Sequence, residues 1–205
     1  MTDTPHLPTP SRVASVVGRR LRREWGKGRE SKRMRTMRMK PVVGDKVFIR
    51  EHVLADRDTH ADWQCDLDVA TFLSWLPRTE EEAYQSLQDA IEQQDVEGRL
   101  RFFMAVVRKM DEEVVGDVGI TLLDNRIGEI GWFIRKQYWG MGYASEAAAL
   151  MIHCGFRSIE LGTIRASCRK ENTPSENIMK KCGFRLADAT DRRLNYYLRC
   201  EDWDI

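Results

Sequence analysis

No stretch of this sequence approaches the roughly 18 consecutive apolar residues that a membrane-spanning helix requires. The N-terminus turns basic without the apolar run of a secretory leader. Cysteine-pair motifs are also missing: Cys65, Cys154, Cys168, Cys182 and Cys200 form no Cys-x-x-Cys pair. Spread over a chain of this size, they read as reduced, mostly buried thiols of a cytoplasmic protein, and Cys182 as a packing thiol rather than a nucleophile. The four histidines show no metal-ligand spacing, so no metal is expected. Internal repeats and low-complexity segments are absent, which excludes a solenoid.

A charge excess is lacking overall, since 33 Lys and Arg face 32 Asp and Glu. The balance hides an asymmetry. Residues 1–40 hold about twelve basic residues against about three acids, which leaves roughly −8 for the remainder. Val13, Val16, Val17, Leu21 and Trp25 fall on one face of a helix, with Arg19, Arg22 and Arg23 turned away. Such a basic amphipathic helix suits a membrane surface, nucleic acid or an acidic partner. The plainer reading is a solvated extension, or a start codon assigned too early, since Met34, Met37 and Met39 follow. Residues 1–40 are therefore set apart from one domain, 41–205, long enough to bury a core.

Hydrophobic periodicity gives that domain its elements. Lys46 to Arg50 reads as a first strand, and a helical stretch runs from about Thr59 to Trp75 before Pro77. Thr79-Glu80-Glu81-Glu82 is an N-cap with acids in the first turn, leading a helix to about Gln94. Arg101 to Val107, Val114 to Leu122 and Arg126 to Ile134 read as strands. A helix from Ser145, a strand at Gly162 to Cys168, a helix from Pro174 and a strand near Leu194 to Leu198 follow. The class is mixed α/β with a largely antiparallel sheet.

The richest segment is Gln137-Tyr138-Trp139-Gly140-Met141-Gly142-Tyr143-Ala144, between an apolar strand and the Ser145 helix. A glycine turn there aims several backbone N–H groups at one point, where the helix dipole favours an anion such as phosphate. A nucleotide P-loop would continue Gly-Lys-Ser/Thr, whereas Tyr143 and Ala144 stand here. A dinucleotide fingerprint would want glycine at Ser145, although Glu160 lies near where a ribose-binding acid belongs. A strand-to-helix connection without a ligand also fits this segment alone.

Asn172-Thr173-Pro174-Ser175 opens the later helix, which ends at Lys180-Lys181-Cys182-Gly183-Phe184. With this second motif the chain resembles the GNAT superfamily of acyl-CoA-dependent N-acyltransferases. Gln137, Gly140 and Gly142 meet the Gln/Arg-x-x-Gly-x-Gly/Ala signature. Asn172, Ser175, Gly183 and Phe184 meet the later Asn-x-x-Ser/Ala…Gly-Phe signature. The likeness spans roughly residues 46 to 203 and implies the GNAT fold, whose central strands splay into a V-shaped slot.

The resemblance implies acetyl-CoA as acyl donor, with no metal. It assigns the diphosphate to Gln137, Gly140, Met141, Gly142, Tyr143 and Ala144, and the pantetheine arm to Phe133, Ile134 and Asn172. Arg135, Lys136, Arg169, Lys170, Lys180 and Lys181 would surround the phosphates. A neutral α-amine near pKa ~8 costs about 1 kcal/mol at neutral pH, and an alkylamine near ~10.4 about 4 to 5 kcal/mol, so a base helps. Many GNAT enzymes place a base glutamate at the start of the slot-lining strand, which is Glu129 here. Half-burial beside Trp132 and Tyr138 would tune it. A strand-edge glutamate paired with arginine is the alternative.

Where many members carry a proton-donating tyrosine, Met179 stands, and methionine donates no proton. Asn-x-x-Ser with methionine at that place resembles the ribosomal-protein N-terminal acetyltransferase branch. There a serine is the proposed donor to the sulfur, which implies Ser175. The ending from Tyr196 to Trp203 resembles the same branch. Trp63, Phe72, Trp75, Tyr84, Phe102 and Phe103 come from the region that roofs the acceptor site in the family. The expected function is direct acetyl transfer in a ternary complex to a peptide N-terminus or a small amine, an antibiotic or polyamine among the alternatives. A non-catalytic acyl-CoA-binding module is the competing reading. A second copy of the chain is a further partner to test.

Overall fold

The computed structural model describes residues 37–65, 78–124 and 126–203. Eight strands follow in chain order: β1 (Val42–Val43), β2 (Val47–Glu51), β3 (Arg101–Arg108), β4 (Val114–Leu122), β5 (Ile127–Ile134), β6 (Thr163–Arg169), β7 (Arg185–Ala189) and β8 (Arg193–Arg199). The helices are α1 (Arg57–Gln64), α2 (Glu80–Glu92), α3 (Tyr143–Arg157) and α4 (Thr173–Lys181). The strands form one sheet in the order β1-β2-β3-β4-β5-β6-β8-β7. Every pairing is antiparallel except β5 with β6.

Two-residue alternation sorts the sheet into two faces. Val47, Ile49, Phe102, Met104, Ile120, Ile130, Ile134 and Ile164 point to one side and belong to one buried cluster. α3 covers that side with Ala147, Met151, Ile152 and Cys154, and α4 adds Met179. Each such side chain, taken fully out of water, is worth about 1.5–3 kcal/mol. The opposite face receives α1, whose Trp63 ring stacks on Phe133 with centroids 4.4 Å apart. α2 joins α1 through the Arg57 guanidinium, 3.7 Å above the Tyr84 ring.

The Thr79 cap forms as the spacing predicts. Its hydroxyl accepts from Glu82 N at 3.3 Å, and Glu82 Oε2 accepts from Thr79 N at 2.9 Å. α1 begins two residues before the expected Thr59, and the rest of that stretch lies outside the described residues. So do Phe72, Trp75 and the amphipathic segment from Val13 to Trp25. Met39, placed in the extension by composition, is buried in the core cluster, and its amide donates to Glu51 Oε1 at 2.9 Å. Packing against the domain therefore begins before residue 41. All five cysteines are free, Cys154 and Cys168 buried and the others partly so. Among the described residues no helix is long and apolar enough to cross a membrane.

Candidate acyl-transfer site

β5 and β6 begin side by side and then part. Their pairing covers Ile127↔Thr163, Gly128↔Ile164 and Glu129↔Arg165, and stops. On its other edge β5 stays paired with β4 from Gly128 to Ile134. β6 stays paired with β8 from Thr163 to Arg169. A slot therefore opens beyond Glu129, because each strand is held by its outer neighbour and not by the other.

Hydrogen-bond alternation decides which backbone groups face that slot. Arg135 N donates to Val115 O at 2.9 Å and Leu123 N to Ile127 O at 2.8 Å. Odd-numbered residues of β5 thus turn their backbone toward β4, and Ile130, Trp132 and Ile134 turn theirs to the slot. The backbone contact expected at Phe133 is corrected on this ground: its N–H and C=O belong to the β4 ladder, and its ring lies against α1. Ile134 does face the slot, but its carbonyl accepts from the Trp139 indole at 2.6 Å.

At the wide end of the slot the chain turns through Lys136–Tyr138 and two left-handed glycines into α3. Gly140 has φ of 78° and Gly142 of 85°. A Cβ at Gly140 would meet no heavy atom within 4 Å, and one at Gly142 only Lys46 Nζ at 3.6 Å. The first α3 bond is made by Glu146 N to Gly142 O at 3.2 Å, so the amides of Tyr143, Ala144 and Ser145 precede the ladder. Gln137 is exposed and its amide donates to the Tyr138 hydroxyl at 2.9 Å. Tyr138 is buried and donates to Glu113. Glu113 also takes Arg108 at 2.8 Å and Arg135 at 2.9 Å.

One cation at this turn was not among those the sequence singled out. Lys46, at the head of β2, donates to the Met141 carbonyl at 3.1 Å, and its backbone amide to Glu146 Oε1 at 2.9 Å. Of the expected basic ring, Arg135 is occupied by Glu113 and Lys180 by Glu176 at 2.7 Å. Lys170 and Lys181 are exposed.

Glu129 stands where the two strands part. Its side chain is exposed, on the α1 face, with Ser167 donating to Oε1 at 3.4 Å. Arg193 in turn donates to Ser167 Oγ at 2.6 Å. The expected half-burial beside Trp132 and Tyr138 is not found, because Trp132 is three residues on and so on the opposite face. Across the slot, Asn172 caps α4, its side chain accepting from Ser175 N at 3.1 Å. Ser175 is half-buried in the first turn of α4, and Met179 one turn on is fully buried. Tyr196 donates to Glu176 at 2.7 Å, and burial followed by that carboxylate pushes its pKa up to about 12.

Behind Phe133 lies a buried polar cluster. Asp117, paired with Phe133 across β4 and β5, has Oδ1 3.2 Å from His52 Nε2 and Oδ2 3.5 Å from His60 Nδ1. His52 Nδ1 is 3.4 Å from Asp56 Oδ2, and Arg50 holds Asp56 at 2.7 Å. Burial opposes charge on His52, yet Asp117 and Asp56 raise its pKa to about 9. Asp117 is held below the usual carboxylate range, burial being overridden by His52 and His60.

Likenesses to known proteins bear on this geometry. The family model for the Acetyltransferase (GNAT) domain matches residues 46–185. The uncharacterized N-acetyltransferase p20 of Bacillus licheniformis is 30% identical over 148 residues, 71% of this chain and 83% of its own length. The ribosomal-protein-S5-alanine acetyltransferase of Vibrio fischeri has a TM-score of 0.68 at 19% identity, over 82% of this chain and 100% of its own. The spermidine N-acetyltransferase of Vibrio cholerae, solved with CoA and spermine, has a TM-score of 0.67 at 14% identity, covering 77% and 97%.

Proposed function

The chain belongs to the GNAT acetyltransferases, and from that premise we propose that it moves an acetyl group from acetyl-CoA directly onto a primary amine in the slot between β5 and β6. One observation carries the reading. Among the described residues, the β5 edge has no strand partner from Ile130 onward, and it runs toward a helix N-terminus entered through Gly140 and Gly142.

The residues present fit such a donor. The amides of Tyr143, Ala144 and Ser145 and the α3 dipole suit a diphosphate. Gln137, Gly140, Met141 and Gly142 shape the approach, and Lys46 adds a positive charge. The backbone groups of Ile130 and Trp132 suit the amides of the pantetheine arm, and Asn172 offers its amide nitrogen from across the slot. Acetyl-CoA supplies the activated thioester carbonyl.

The acceptor enters from the α1 face, where Glu129 is exposed. Glu129, directly or through water, takes the amine proton as the N–C bond forms. Ser175 gives a proton to the sulfur as the C–S bond breaks, and recovers one from solvent. On the same side of the sheet, Asp58, Asp62 and Glu80 line a cleft between α1 and α2. Arg135, 3.8 Å from Asp62, offsets part of that charge, and the remaining carboxylates of Asp58 and Glu80 favour a cationic acceptor such as a peptide N-terminus or a polyamine.

Coenzyme release measured against N-terminal peptides, polyamines and aminoglycosides tests the reading. Turnover on one class names the acceptor. Exposure of Glu129 and its long contact to Ser167 favour the second reading, a non-catalytic acyl-CoA-binding module, for which tight binding without turnover on any acceptor is the signature. Removal of residues 1–36 tests the extension as an addressing element: partner binding would be lost and turnover kept.

A further inference from the structure

We propose that His52, His60 and Asp117 form a binding site for a divalent transition-metal ion, zinc foremost, which fastens α1 to the sheet. The three residues come from separate elements. His52 directly follows β2, Asp117 lies in the middle of β4, and His60 lies on α1. Spacings of eight and 57 positions show no ligand pattern along the chain, which is why the histidine spacing pointed to no metal.

The donor spacing suits an ion. One ligand atom from each residue lies within 4.8 Å of the other two. Asp117 Oδ1 to His52 Nε2 is 3.2 Å, and Asp117 Oδ2 to His60 Nδ1 is 3.5 Å. Tetrahedral zinc with N and O ligands at ~2.0–2.2 Å has ligand-to-ligand edges of about 3.3–3.5 Å. The two contacts use different Asp117 oxygens, so three donors that start within 4.8 Å of one another draw together around an ion held by one of those oxygens. Two imidazoles and one carboxylate also match the donor preference of such ions, with a fourth position left for water.

The hydrogen bonding points the same way. His60 Nδ1 and Asp117 Oδ1 are buried and have no hydrogen-bond partner among the described residues. A buried polar atom without a partner is destabilising, because its lost hydration is not replaced. A proton on His52 is the competing way to offset the Asp117 charge: Nε2 then donates to Asp117 Oδ1 at 3.2 Å, but His60 Nδ1 is left unmatched. A cation among the three residues matches His60 Nδ1 as well.

The surroundings supply the outer contacts that metal-bound histidines use. His52 turns its far nitrogen, Nδ1, toward the Asp56 carboxylate at 3.4 Å, within ion-pair reach though not aligned as a hydrogen bond, and Arg50 and the Val53 amide hold that carboxylate. His60 turns Nε2 onto the Gln64 amide group at 2.5 Å, while Gln64 Oε1 has no partner among the described residues. Turning the amide about its axis places Oε1 against His60 Nε2. His60 then donates to Gln64 and keeps the Nδ1 lone pair for the ion.

The consequence falls on α1. His60 meets Trp63 edge-on at 5.2 Å between ring centroids, and Trp63 stacks on Phe133 of β5. An ion held here thus steadies the wall beside the slot without touching the acyl group. The inference is independent of the proposed acetyl transfer.

The test uses the full chain, stripped with a chelator and titrated with zinc chloride in a calorimeter, with thermal unfolding of the same samples. One equivalent is expected to bind and to raise the unfolding temperature. His60→Gln and Asp117→Asn should each weaken binding by about a hundredfold, and Gln64→Ala by about tenfold to a hundredfold. Binding kept in both ligand variants, or no stoichiometric binding at all, overturns the site. X-ray absorption of the zinc-loaded wild-type chain guards against variants that fail to fold. A shell of nitrogen and oxygen with imidazole scattering supports the site, and sulfur in the shell overturns it. CoA binding measured alongside keeps a negative metal result separate from the acetyl-transfer reading.

Discussion

The indole nitrogen of Trp139 donates to the carbonyl of Ile134 at 2.6 Å, bracing the end of β5 against the glycine turn that opens α3. The contact joins the two features that a donor would use, a strand edge and a helix N-terminus, and so sets the spacing between them. It also occupies one slot-facing acceptor, the Ile134 carbonyl, and leaves the Ile134 N–H turned to the slot with the backbone groups of Ile130 and Trp132. Trp139→Phe removes the N–H and keeps the ring. A neutral hydrogen bond of about 1 kcal/mol predicts a roughly fivefold loss of CoA affinity, read by calorimetry, with folding retained.

Glu129 is expected to matter in proportion to the acceptor's basicity. Glu129→Gln should lower turnover by about 10²- to 10⁴-fold on an alkylamine and less on an α-amine, because the alkylamine is harder to deprotonate. CoA affinity should stay within twofold (about 0.4 kcal/mol), since Glu129 lies on the α1 face, where the acceptor is proposed to enter. Unchanged turnover from pH 6 to 9 would remove Glu129 from the mechanism.

Gly142 carries a φ of 85° with only Lys46 Nζ near its missing Cβ. Gly142→Ala therefore costs backbone strain of about 1–2 kcal/mol rather than a collision. The expected readout is a lower unfolding temperature and weaker CoA binding. Lys46→Met should leave stability nearly unchanged and weaken CoA several-fold at low salt. That difference should shrink as salt screens the charge.

Cys182 follows α4 and reaches the Ser145 carbonyl at 3.9 Å, tying the end of one helix to the start of another. Burial raises its thiol pKa to about 11 from the ordinary 9.0. The folded state therefore prefers the neutral thiol, so its contribution is complete below pH 9 and is lost as pH rises through about 11. Denaturant unfolding at pH 8 and 10.5 should show a fall in stability that is smaller in Cys182→Ala. Alkylation by iodoacetamide at pH 8 should be slow, and Cys182→Ala should keep its turnover.

Local pattern carried far in this chain. The alternation in β3, β4 and β5, the Thr79 capping box and the glycine turn into α3 are short-range features, decided within a few residues. β7 escaped because all five of its residues are exposed, leaving no apolar alternation to read. β1 escaped because two residues make no pattern.

What the sequence determined alone was therefore the run of elements, the two site motifs and the likeness they carry, since period and turn chemistry are local properties of the backbone. Only the tertiary structure decided which backbone groups face the slot, because ladder parity depends on the partner strand. It also exposed Glu129, brought Lys46 to the turn at Met141, 95 positions away, and gathered His52, His60 and Asp117 under α1. Those relations rest on packing between elements distant in sequence, and no local spacing encodes them.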